Sequence, residues 1–252
     1  MEIKEALMRY CLRQGDNAMI FGHRLTEWCA KGPILEEDIA ISNMALDLFG
    51  QCRILYTQAG ELEGKGRTED DFAYLRNEHE FQSVWLVELI NGNFADTMAR
   101  IMLYSTYNWM LCDELAKSPD EKLAAYGAKA RKELAYHMRH SSEWVVRLGD
   151  GTEESHTKMQ DALNYAWSYR HEMMEVDEVE QTLIDAGIIV DPASLKEAYE
   201  ARLREVIERA TLETPEDNWI ASGGRQGRHS EAMGHILAEF QTLARAYPDA
   251  SW

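Results

Sequence analysis

The sequence predicts an all-α fold, a long four-helix bundle of the ferritin-like kind with additional helices packed against it. Three observations point there. Apolar residues recur at alternating spacings of four and three over several long stretches, which lays a continuous seam along one helix face. Only 5 prolines occur in 252 residues, and most of the 16 glycines fall between those stretches. No segment alternates with period two for long enough to build a sheet; Gly187-Ile188-Ile189-Val190 is the most β-like, and it is too short.

Eight helical segments follow in order. The first spans about 2 to 30 and stops before Lys31-Gly32-Pro33. The second, about 34 to 63, carries Ile41, Ala45, Leu48, Cys52, Leu55, Ala59 and Leu62 on a seam. Leu35, Ile39, Leu46 and Phe49 give it a second apolar face, as a central helix would have. A third, about 69 to 88, holds Phe72, Leu75, Phe81 and Trp85, and Asn91-Gly92-Asn93 marks the next junction. The fourth, about 95 to 117, and the fifth, about 119 to 148, each carry a seam, with Leu134 and His137 on that of the fifth. A sixth spans about 153 to 186 and a seventh about 192 to 210. A loop holding Gly223-Gly224-Arg225-Gln226-Gly227 then precedes the last helix, about 230 to 246. No linker divides the chain, so 1–252 is read as one domain.

Bulk properties narrow the function. The chain is 45% hydrophobic and 28% charged, which is globular composition, and its net charge of −18 disfavours nucleic acid and anionic membranes as partners. Cys11, Cys29, Cys52 and Cys112 form no C-x-x-C and sit in helical patterns, which suits core thiols in a reducing cytoplasm. The opening Met1-Glu2-Ile3-Lys4-Glu5 does not read as a signal peptide, and Val84-Trp85-Leu86-Val87 is broken by Glu88 long before the ~20 apolar residues a membrane span needs.

A bundle of long helices raises the question of a paired metal centre. Such centres take one Glu from each of two helices and Glu-x-x-His from each of two others. Among the histidines only His156 has a carboxylate three residues earlier, Glu153, and that string opens a helix, where acids complement the dipole. Elsewhere the pattern is broken. Asp47 is followed by Gly50 where a histidine is needed, and His137 is preceded by Leu134 where a carboxylate is needed. Glu133 and His140 flank His137 at helix-surface spacings. A centre that has lost its metal needs other partners for its acids. Asp47, Glu80 and Glu133 are therefore expected either to pair with Arg53, Arg76 or Arg100 or to stand as solvated charges. The Gly223–Gly227 loop with Arg225 and Arg228 has the glycines and cations of a phosphate cradle, or of a plain exposed connector.

Several strings together resemble the C-type component family of bacterial phenylacetyl-CoA epoxidases. They are Arg13-Gln14-Gly15-Asp16-Asn17, Arg24-Leu25-x-Glu27-Trp28-Cys29, Ala45-Leu46-Asp47-Leu48-x-Gly50-Gln51, Asn91 to Thr97, Lys132-Glu133-x-x-Tyr136-His137-x-Arg139, and Gly223-Gly224 to Glu231. The resemblance implies a non-catalytic, ferritin-like subunit of a multicomponent monooxygenase. That complex epoxidises the aromatic ring of phenylacetyl-CoA with O2 and electrons delivered from NADPH by a reductase subunit. The catalytic A-type component would hold the di-iron centre, and this chain would pair with it, hold no cofactor itself and work beside further small subunits. Self-pairing of the isolated chain stays open. The expected substrate-facing residues are Glu36, Glu37, Asp38 and Ile39 at the start of the second helix, with Arg225 and Arg228 for CoA phosphates. The alternative is a di-iron or di-manganese ferritin-like oxidoreductase, or a metal-storage protein, in its own right.

Overall fold

The computed structural model describes residues 1–248 and 250, so the last part of the expected 1–252 domain (249, 251 and 252) lies outside the described residues. Ten α-helices and four short 3-10 turns make up the described fold, with no strand among the described residues. Four long helices build the bundle: α1 (Ile3–Thr26), α2 (Leu35–Glu63), α5 (Phe94–Leu115) and α6 (Glu121–Gly149). Around them lie α3 (Glu69–Tyr74), α4 (Trp85–Glu88), α7 (Glu153–Trp167), α8 (Glu178–Asp185), α9 (Lys196–Arg209) and α10 (Glu231–Ala246). No described helix is long and apolar enough to cross a membrane.

α1 and α2 form one antiparallel hairpin, α5 and α6 the other. One long connection, residues 64–93, joins them, which is the ferritin-like arrangement. The backbones come close where small residues allow it. A Cβ on Gly127 of α6 would stand 2.6 Å from the Ala116 nitrogen and 2.8 Å from the Cys112 carbonyl oxygen of α5. One hydrophobic cluster runs from Ala6 to Leu237 and takes residues from both hairpins and the flanking helices. Cys11, Cys52 and Cys112 lie in it as read from the sequence. Cys29 does not: α1 stops at Thr26, and Cys29 sits exposed in the turn that follows.

The third and sixth predicted helices are broken, and both stretches meet buried polar groups of α1. α1 is buried all round from Arg13 to Gly22, and it carries Arg13, Asp16, Asn17 and Arg24 inward. These polar groups need partners that a regular helix cannot offer. Residues 76–91 keep only a 3-10 turn and the single turn of α4, and present backbone to them. Asp16 accepts from the Gln82 amide at 2.7 Å, from the Tyr56 hydroxyl at 2.6 Å, and from the Arg76 guanidinium. The Asn17 side-chain carbonyl accepts from the Val84 amide at 2.8 Å, and Arg24 donates to the Glu88 carbonyl at 3.0 Å. Arg100 donates to the Leu89 carbonyl and the Asn91 side chain. The sixth segment ends at Trp167, and a helix restarts at Glu178, where Arg13 reaches Asp177 at 2.7 Å and Glu180 at 2.8 Å. Asp177 caps the new helix as well. Burial alone would raise its carboxyl, but Arg13 and neighbouring donors hold it well below the usual range.

Replacing Asp16 with Ala leaves the Arg76 guanidinium buried without its counter-charge. The expected cost is about 3–5 kcal/mol, read as a fall in the urea midpoint with unchanged slope. A loss under about 1 kcal/mol, the scale of a surface pair, would show that Asp16 does not organise this connection.

Candidate functional site

The candidate ligands that the sequence offered on the second and fifth predicted helices meet where α2 packs against α6, and each takes a partner from the chain itself. Asp47 of α2 lies 3.0 Å from His137 Nε2 of α6, and His137 is almost fully buried. One turn along, Gln51 donates to Glu133 at 3.0 Å, while Lys129 sits 3.2 Å from the other oxygen of the same carboxylate. The same ammonium lies 3.5 Å from where a Cβ on Gly50 would be, so a cation of the chain itself stands beside that position. Leu134 points into the core with no exposed surface. Further along, Glu37 Oε2 approaches His140 Nε2 to 2.9 Å, and burial holds His140 below its ordinary value although Glu37 opposes this. Among the described residues no group of three or more His, Cys, Asp or Glu is arranged to hold a metal ion.

The expected carboxylate–arginine pairs do not form. Asp47 takes His137, and Glu133 takes Gln51 and Lys129. Glu80 caps a 3-10 turn through the Asn77 amide at 2.7 Å. Arg53 pairs with Glu69 at 3.1 Å on the surface, Arg76 with Asp16, and Arg100 only with neutral acceptors. The acids at the seam are shorter-range neighbours of amide, ammonium and imidazole groups, so they need no arginine. His156 donates from Nδ1 to the Gly149 carbonyl, 2.6 Å away, in a helix start capped by Thr152 with Glu153 and Glu154 in its first turn.

The glycine loop is a cradle, but its ligand is internal. Gly223 adopts φ +126°, and its amide with those of Gly224 and Arg225 converges on one oxygen of Glu172 at 3.0, 2.6 and 3.3 Å. The Trp85 amide takes the other oxygen at 2.8 Å. A Cβ at Gly224 would stand 2.1 Å from the Ser83 carbonyl oxygen, so glycine is required there. Arg225 is 4% exposed and donates to Glu180 and to the Glu175 and Met173 carbonyls. Arg228 alone of the two arginines faces solvent. At the start of α2, Glu36 and Ile39 are exposed, Glu37 turns inward to His140, and Asp38 caps the Gly32 amide at 3.3 Å. These four do not converge on one point, and they lie apart from the glycine loop.

Two arrangements escaped the sequence reading. His23 stacks on Phe240 of α10 at 4.1 Å, and burial pushes its pKa down to about 4. His229 and Glu88 form a fully enclosed pair, Nδ1 to Oε1 at 2.6 Å, while Nε2 faces the Phe81 carbonyl at 2.9 Å. Ser230 adds its amide and hydroxyl to the second Glu88 oxygen, each at 3.1 Å. Nothing local in the sequence links positions 88 and 229; only the break at Glu88 in an apolar run signalled a buried role.

Both neighbours of the His229 ring are acceptors. A neutral imidazole has one N–H and could satisfy one of them; the imidazolium satisfies both. Burial alone would lower the pKa of His229, but the hydrogen bond and charge of Glu88, with the Phe81 carbonyl, raise it above the ordinary value. A raised folded value means stabilisation that is complete below the unfolded pKa and lost as pH climbs through the folded one. His229→Gln is therefore expected to destabilise most near pH 6 and least near pH 9 (about three units apart, wide enough to span the transition), measured as the difference in unfolding free energy from the parent chain. A difference that stays flat with pH would exclude the imidazolium.

Comparison with known proteins agrees with this architecture. A family model described as phenylacetic acid catabolic protein matches residues 1–252. The chain is also 44% identical over 246 residues to the C component of the 1,2-phenylacetyl-CoA epoxidase of Escherichia coli (strain K12), covering 98% of this chain and 99% of that protein. A match that runs the whole length, over a ferritin-like bundle, leaves one assignment: the chain belongs to the phenylacetic acid catabolic protein family.

Proposed function

We propose that this chain is a cytoplasmic, metal-free subunit of a phenylacetyl-CoA epoxidase complex, a single domain that pairs with and stabilises the di-iron catalytic subunit. The name of the Escherichia coli relative supports the complex and the pathway. The observation that carries the structural role is the α2–α6 seam. Gly50 and Leu134 stand at two positions where a paired metal centre needs His and Glu, and Glu133 and Asp47 are already joined to Gln51, Lys129 and His137. An enzyme or storage protein in its own right would need four carboxylates and two histidines to converge. Substrate contact by this chain falls to its exposed candidates, Glu36, Ile39 and Arg228, because Arg225 and Glu37 are turned inward.

A partner that binds only the folded catalytic subunit stabilises it by mass action. Two readouts test the proposal. The chain made alone in iron-rich medium is expected to hold less than about a tenth of an iron by elemental analysis, where a working pair of ions would give about two. Made together with the catalytic subunit, it should co-purify with it and raise its melting temperature. Close to two irons per chain would sink the structural reading and favour the oxidoreductase.

A further inference from the structure

The outward faces of α2 and α6 lie side by side, and they differ in character from the rest of the chain. On α2, Leu35, Ile39 and Leu46 share one stripe and are 72%, 52% and 65% exposed. Residues spaced by four and seven fall on one side of a helix, so this is a continuous apolar ridge. Across the seam, α6 exposes Tyr136 at 40%. Around it stand Lys129, Lys132, Arg139 and Arg147, all exposed.

The charge on α6 runs against that of the chain. The helix holds six Lys and Arg against three Glu, in a protein whose net charge is −18. Lys122 pairs with Glu61, Lys129 with Glu133 and Arg131 with Asp113. Lys132, Arg139 and Arg147 make no ion pair among the described residues; Arg139 and Arg147 instead lie over the Tyr136 and Trp144 rings. A cleft of about 490 Å³ opens between the two helices beyond Gly50, floored by Ile54, Ala125 and Tyr126 and edged by Arg53, Lys122 and Lys129. Both helices have 29 residues, so the face extends ~43 Å at 1.5 Å per residue.

The geometry points to this α2–α6 face as a docking surface for a helix of a partner protein that carries an apolar row flanked by carboxylates. A ridge of leucine and isoleucine beside tyrosine and arginine has the make-up of an interface core. Charge complementarity decides the occupant. In a symmetric pair of this chain the face would meet itself, and a two-fold axis passing along α6 would oppose Lys132 and Arg139 to their own copies. Like charges so placed disfavour self-pairing, whereas an acidic partner helix meets them favourably and is steered toward them. Placing the catalytic subunit here rests on the proposed function above.

The test uses the full-length chain and the separately purified catalytic subunit, with binding measured by calorimetry. Ile39→Asp with Leu46→Asp is expected to weaken binding by at least about tenfold, as loss of a central apolar contact does. Lys132→Glu with Arg139→Glu should weaken it by about tenfold at low salt and by less at high salt, because exposed charges are screened. All four positions are exposed, so both variants should keep the parent melting temperature. Trp219→Ser with Tyr165→Ser, which alters a second exposed aromatic patch (both residues 52% exposed), should bind like the parent. Parent-like binding by the α2 and α6 variants, with loss in the Trp219 variant, overturns this face while leaving the subunit reading intact. No binding by the parent chain overturns both.

Discussion

Four polar side chains on one buried helix organise the long crossover of this molecule and the start of α8. Arg13, Asp16, Asn17 and Arg24 project from α1 into the interior, where an unpartnered amide or charge is costly. Their partners come from segments far away in the chain: Gln82, Val84 and Glu88 from the crossover, and Asp177 and Glu180 from the start of α8. The bonds to the crossover require backbone amides and carbonyls that are free of helical pairing. The connections are irregular because α1 needs them to be. The network then spreads outward, since Glu180 also holds Arg225, and Glu88, fixed at its carbonyl by Arg24, holds His229 and Ser230 through its carboxylate. α10 is thus tied to α1 through two intermediates that it does not itself resemble in sequence or charge.

The seam between α2 and α6 is stabilised by different means. A paired metal centre would bring several carboxylates together and offset their repulsion with cations. Here the carboxylates are fewer, and each lies beside a polar neighbour of its own: His137 for Asp47, Lys129 and Gln51 for Glu133, His140 for Glu37. Leu134 turns a donor position into ordinary core, and Lys129 stands beside Gly50. The outcome is a seam that closes without a ligand. Its outer edge keeps a surplus of positive charge, because the lysines and arginines of α6 outnumber the acids available to them.

The long helices were legible because their signal is periodic and local: spacings of three and four, with Asn93 and Asp120 as caps and glycines as stops. The broken donor pattern at Asp47–Gly50 and Leu134–His137 was legible for the same reason, since both halves lie on one helix. Partner choice was not legible. Arg76 could equally have met Glu80 or Glu133 by sequence spacing, and only the fold brings it to Asp16, sixty positions away. The breaks at Leu75 and Trp167 were hidden too, because apolar periodicity continues through them while long-range hydrogen bonds override it. The glycine loop shows a subtler limit. Its residues do build an anion cradle, as their types suggest, but the anion is Glu172 of the same chain.

That last case bears on how family strings are read as chemistry. Arg13 to Asn17, Arg24 to Cys29, Asn91 to Thr97 and Gly223 to Glu231 are built of the residue types that active sites use. Yet in this structure, apart from the exposed Arg228, their arginines and loop amides face groups of the same chain: Arg13 with Glu180, Arg24 with Glu27, Asn91 with the Arg24 carbonyl, the loop amides with Glu172. A group whose donors and acceptors are already matched inside the fold has none left for a substrate. The surface that remains able to act is the apolar ridge of α2 and the outward cations of α6, where the remaining strings expose Leu46, Lys132, Tyr136 and Arg139. In a chain of this kind the buried polar residues determine which bundle forms, and the exposed helix faces determine what the bundle meets.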